Sequence, residues 1–232
     1  MRGRWPSAIA WLNCVVPLFA VAGSYGISLY QGSVVACFPF THGCTSISGA
    51  ARYGDALFLF RGLMMPLSML LAVYWCLQWE WLTQQVGPRR RHTVILWLGI
   101  ISALALVLYA NYLGSGSGFY EFMRRTGIIF HFALALLAQL LCIQSLYRTH
   151  RPLSARTRRI VRWQFALIGL QWLWGFVSLT IDLTQPSFEY EAKNIVEWNF
   201  AWAMVGFYGL SGWLWWRDPP GPINRTHPPA QS

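Results

Sequence analysis

RRRHTVILWLGIISALALVLYANY, residues 89–112, decides the fold. Three arginines and a histidine are followed by twenty residues, Thr93 to Tyr112, without one formal charge. A helix crossing a hydrocarbon core ~30 Å thick needs about 20 apolar residues, so this stretch reads as a membrane span with a basic edge. Five others have the same character: Ile9–Tyr30, Ala56–Trp79, Thr126–Leu146, Ile160–Asp182 and Ile195–Trp216. Buried in lipid, a backbone must satisfy its own hydrogen bonds, which leaves helices or a closed barrel. The runs lack the alternation of a barrel strand. The reading is an all-α, polytopic membrane protein, one six-helix bundle over 1–216 with a disordered cytoplasmic tail over 217–232.

Composition points the same way. The chain has 232 residues, 55% hydrophobic and 11% charged, with a mean hydropathy of +0.37. A soluble domain carries roughly 25% charged residues, so an ordinary soluble enzyme is a poor fit. The net charge of +10 would suit nucleic acid, but the basic residues fall in short bursts between spans instead of forming a stripe. No nucleic-acid partner is expected.

Charge also sets the direction of the chain. With the N-terminus inside, 13 of the 18 basic residues are cytoplasmic, including Arg89, Arg90 and Arg91 and the cluster from Arg148 to Arg162. Outside remain Arg52, Arg61, Arg124, Arg125 and Lys193. By the positive-inside rule both termini face the cytoplasm. Trp75, Trp79, Trp81, Trp97, Trp163, Trp213, Trp215 and Trp216 fall near the inner boundary, as an interfacial belt would. Arg2 and Arg4 ahead of an apolar run ending in Ala20-Val21-Ala22 also resemble a signal peptide. The run continues to Tyr30, which favours a retained first span.

Ionisable residues inside spans are costly and mark a function or a specific partner. Arg61, His131 and Glu197 lie near the outer ends of the second, fourth and sixth spans, at depths of roughly 5–10 Å given ~1.5 Å per residue. They are expected to share one polar layer that binds lipid. The competing reading is interhelical glue that holds three helices in register. Gln164, Gln171, Ser178 and Asp182 form a polar stripe on one face of the fifth span, again open to glue or to a conduit. Cys37 and Cys44 share the longest outer loop, where a disulfide is expected in an oxidising compartment. Ser46 and Ser48 follow them, polar and small, near the mouth of the expected pocket. No metal-ligand spacing occurs, and no cofactor is expected.

Several of these residues carry a resemblance. Thr45-Ser46-Ile47-Ser48-Gly49, Leu59-Phe60-Arg61, His131 after Glu121, Ile195-Val196-Glu197-Trp198 and the ending Trp213-Leu214-Trp215-Trp216-Arg217-Asp218 resemble the family of the damage-regulated autophagy modulators, the yeast suppressor of four kinase and the FGF-receptor-activating protein, which assists GPI-anchor remodelling. The resemblance implies six spans and a role in lipid remodelling, asymmetry or signalling, in the plasma membrane or secretory pathway. The preference for Arg over Lys also fits a bacterial source and a cell-membrane location. The expected function is non-enzymatic: binding or organising outer-leaflet lipids, with membrane lipids and possibly a membrane protein as partners. The alternative is an intramembrane acyltransferase or lipid hydrolase in which His131 is the base, Glu197 orients it, and Ser46 or Ser48 is the nucleophile. No Gly-x-Ser-x-Gly elbow supports it.

Overall fold

A computed structural model describes residues 4–148, 153–184 and 189–221. Arg2, Arg151 and Arg225, the segment 222–232, and the side chains of Asp182 and Glu189 lie outside the described residues. Six long helices carry the chain: α1 (Trp5–Tyr30), α4 (Gly54–Val86), α5 (Arg90–Tyr112), α6 (Gly118–Tyr147), α7 (Ala155–Thr184) and α8 (Glu189–Trp215). Two single-turn helices, α2 (Pro39–His42) and α3 (Ile47–Ala50), sit in the loop between α1 and α4. Among the described residues there is no strand.

Five of the long helices, all but α8, are long and apolar enough to cross a membrane. Helix α8 has the length, at 27 residues, but not the hydropathy. Its sequence explains why: Glu197 and Asn199 interrupt it, and Trp, Gly and Tyr stand where the other helices carry Leu, Ile and Val. Packing gives the physical reason such a composition is tolerated. Trp198, Ala203, Met204, Phe207, Tyr208, Ser211, Leu214 and Trp215 are buried against neighbouring helices. A helix surrounded by protein is under less demand for aliphatic residues than one facing acyl chains.

The long helices form a ring in the order α7–α8–α1–α4–α5–α6, each packed on the next. The seam between α6 and α7 is sparse. Elsewhere the helices approach closely through small residues. A Cβ on Gly99 of α5 would lie 2.1 Å from Trp75 Cγ of α4, and one on Gly127 of α6 would lie 2.7 Å from the Tyr109 backbone nitrogen of α5. Gly209 and Gly212 of α8 face Cys14 and Trp11 of α1 in the same way. Helix α1 runs unbroken through Ala20-Val21-Ala22 and packs on both α4 and α8.

At the end carrying the termini, an aromatic cluster joins α4 to α8. Tyr74 stacks on Trp215 with centroids 5.1 Å apart and meets Tyr208 edge-on at 4.9 Å. The tail differs from expectation over its first residues. Trp81 Nε1 donates to the Asp218 carbonyl at 3.0 Å, Gln85 Nε2 donates to its carboxylate, and Gln84 donates to the Gly221 carbonyl. Pro219 and Pro220 end the helix as expected, but side chains of α4 fold the next residues back onto the bundle.

Candidate functional site

At the opposite end the α1–α4 loop is clasped from two sides. Cys37 and Cys44 form a disulfide, with Cα atoms 6.5 Å apart. From α1, Ser28 Oγ donates to the Ala50 carbonyl at 2.7 Å and Tyr25 Oη to the Cys37 carbonyl at 2.7 Å. From α8, Asn194 Nδ2 donates to the Gly43 carbonyl at 2.7 Å, Trp198 Nε1 to the Thr45 carbonyl at 2.8 Å and Asn199 Nδ2 to the Phe40 carbonyl at 3.0 Å. Gly43 ends α2 at φ +63°, and a Cβ there would lie 2.0 Å from the Glu191 carbonyl oxygen. Only glycine fits both the backbone and the gap. The loop is thus held over the mouth of the bundle.

Arg61 and Glu197 lie toward that end, whereas His131 sits near the middle of α6, and the three do not form a triad. The Arg61 guanidinium donates to the carbonyls of Ala110 (3.1 Å), Asn111 (2.7 Å) and Leu113 (2.5 Å). It therefore caps the C-terminal end of α5, where backbone carbonyls lack helical partners. Among the described residues no ion pair joins it to Glu197. The cations near Glu197 are instead Arg52, from the loop, and Arg124, from the second turn of α6. In the sequence both count only toward the outside charge, because nothing in their own segments places them beside α8. The Glu197 carboxylate is also turned toward the backbone N–H groups of Ile47 and Ser48.

His131 is buried between α5 and α6. Its Nδ1 lies 3.0 Å from the Ser102 carbonyl, and Ser102 Oγ donates to the His131 carbonyl at 3.1 Å. The Ser102 hydroxyl also lies 3.0 Å from Nδ1, so serine and imidazole are paired between the two helices. Ser46 caps α3, accepting from the Gly49 N–H at 2.9 Å, with the Ser48 hydroxyl 3.2 Å away. Neither serine is hydrogen-bonded to His131.

Two cavities that share wall residues lie behind this frame. The larger, about 810 Å³, opens between α6 and α8. Arg52, Arg124, Arg125, Lys193, Ser48 and Glu197 line one part, and Ile128, Ile129, Phe132, Ala133, Val196 and Phe200 line much of the rest. The smaller, about 70 Å³, lies deeper in the bundle and is walled mainly by apolar residues of α1, α4, α6 and α8, with His131 and Glu197 at its edge. Tyr109, Ile128, Phe132 and Glu197 line both. Tyr109 Oη and Arg52 Nε are buried there without a hydrogen-bond partner.

The stripe on α7 faces its neighbours. Gln164 Nε2 donates to Ser211 Oγ at 3.0 Å, which in turn is 2.8 Å from Tyr74 Oη. Gln171 Nε2 donates to Gln139 Oε1 of α6 at 3.3 Å. Ser178 is half-buried farther along, and the Asp182 side chain lies outside the described residues. Among the described residues no group of three His, Cys, Asp or Glu could hold a metal ion. Comparison with protein-family models, with characterised proteins and with solved structures finds no match to this chain.

Proposed function

We propose that this integral membrane protein binds a lipid through the cleft between α6 and α8, on the side of the membrane that carries the disulfide. In this reading α8 is a sixth span, both termini are cytoplasmic, and the cleft opens into the outer leaflet. One observation carries the proposal: a single cavity of about 810 Å³ between α6 and α8 joins a charged end to an apolar wall. That volume is in the range of ligand pockets, roughly 300–1,000 Å³. The division of its lining matches an amphiphile, with the headgroup among Arg52, Arg124 and Glu197 and the chains along Ile128, Phe132 and Phe200. A seam between helices lets a lipid enter sideways without leaving the bilayer. The role in lipid organisation or remodelling implied by the family resemblance is consistent with this site.

Binding is favoured over bond-breaking chemistry by the hydrogen bonds of His131. Its serine partner is Ser102, which is fully buried between α5 and α6 and lines neither cavity. Ser46 is committed to capping α3.

Photoactivatable lipid, incorporated into vesicles with the protein, tests the reading. Cross-links should concentrate on Ile129, Ala133 and Val196. Labelling spread evenly over the lipid-facing surfaces of all helices would refute a defined site. Reporter fusions at both termini test sidedness; one terminus outside would overturn the six-span topology.

A further inference from the structure

Resting on that reading, we propose that the cleft selects its lipid by a phosphodiester, held between Arg52 and Arg124 and accepting a hydrogen bond from Tyr109. Four observations converge on this chemistry. First, the lining holds three arginines, Arg52, Arg124 and Arg125, against one carboxylate, Glu197. Glu121 offsets part of this from outside the lining, 2.5 Å from Arg125 and 3.9 Å from Arg124. The excess is positive, as a net-anionic headgroup requires.

Second, Arg52 and Arg124 stand close enough to repel each other. Two guanidinium groups from separate elements that line one cavity have an anion as a natural third member. Arg124 is largely inside the protein, with 13% of its side chain exposed. Third, Glu197 is the carboxylate near both, but its single charge faces two guanidinium groups as well as the Ile47 and Ser48 amides, which leaves the pair net positive.

Fourth, two donors at the site are unused. Arg52 Nε and Tyr109 Oη are buried without partners, and Tyr109 is only 2% exposed. The Tyr109 hydroxyl lies within electrostatic reach of Glu197, Arg124 and Arg52. Buried polar groups are nearly always hydrogen-bonded, so orphaned donors mark the place of an absent acceptor. A phosphodiester supplies two unesterified oxygens for these two donors and the Arg124 guanidinium, and its acyl chains would continue along Ile128 and Phe132 toward the deeper cavity.

The test uses full-length protein, purified and delipidated in detergent. Dioleoylphosphatidylglycerol and dioleoylglycerol, which share chains and differ in the phosphate, are titrated in and counted by native mass spectrometry. One phosphatidylglycerol should be retained per chain, with dioleoylglycerol bound about tenfold or more weakly, the scale of a lost charge-assisted contact. Arg124→Gln should weaken the phospholipid about tenfold, and Tyr109→Phe about fivefold, with little effect of either on dioleoylglycerol. Tyr109→Phe guards against misfolding: its hydroxyl makes no hydrogen bond within the protein, so the thermal midpoint should hold. Equal binding of both lipids, or unchanged phospholipid affinity in both variants, would overturn the phosphate while leaving lipid binding intact. Binding of neither lipid would overturn the lipid reading itself. Stabilisation by inorganic phosphate equal to that by phosphatidylglycerol would assign the site to a soluble anion and overturn the headgroup.

Discussion

Replacing Arg61 by Met separates a structural guanidinium from a ligand-binding one. The substitution keeps much of the side-chain volume and removes three donated hydrogen bonds, to Ala110, Asn111 and Leu113. The bonds to Ala110 and Leu113 are partly buried, and the one to Asn111 is exposed. A hydrogen bond from a charged group contributes about 1.5–3 kcal/mol when shielded and much less when water can replace it. The two shielded bonds dominate, so the loss should be roughly 2–4 kcal/mol after discounting the exposed contact. For a chain of this size that corresponds to a fall in midpoint of roughly 5–15 °C. The assay is thermal unfolding in detergent at fixed lipid, read together with lipid retention. The expected result is lower stability with phospholipid affinity within about twofold of the parent, since Arg61 does not line the cleft. Arg61→Lys should fall between, because an ammonium keeps the charge but cannot span three carbonyls. An unchanged midpoint with abolished lipid binding would refute the capping assignment and return Arg61 to the ligand.

Gly99→Ala should be the most damaging single-methyl addition at the α4–α5 contact, because its Cβ meets Trp75 at 2.1 Å and Trp75 is fully buried. A loss of about 1–3 kcal/mol or more is expected, checked by thermal unfolding; a neutral variant would show that α5 can move away. Gln164→Leu and Gln171→Leu distinguish glue from conduit. Gln164 supports the Ser211–Tyr74 contact and should cost about 1–2 kcal/mol, whereas Gln171, whose Oε1 is already unpartnered, should be within ~1 kcal/mol of neutral. Ion or solute flux through reconstituted protein that disappears in either variant would favour a conduit instead. Asn194→Ala with Trp198→Phe removes two of the three clasps from α8 to the loop, and should accelerate proteolysis within 37–51 under reducing conditions. Unaltered cleavage would mean that α1 alone holds the loop.

Run length and charge placement were enough to recognise the helical class from the chain alone. An uncharged run such as Thr93–Tyr112 satisfies its backbone in lipid only as a helix, whatever surrounds it. The disulfide between Cys37 and Cys44 was legible for a similar reason: the two cysteines share one short loop. The spacing of Gln164 and Gln171 put them on one face of α7, although it did not name their partners. Which cations stand beside Glu197 was decided only in three dimensions. Span depth placed Arg61, His131 and Glu197 in one layer, but depth says nothing about the direction of a side chain around its helix. Rotation of α4 turns Arg61 to the end of α5, while the clasped loop delivers Arg52 and the α6–α8 approach delivers Arg124. Local chemistry sets what a segment must be; the angular packing of helices far apart in the chain sets which charges meet.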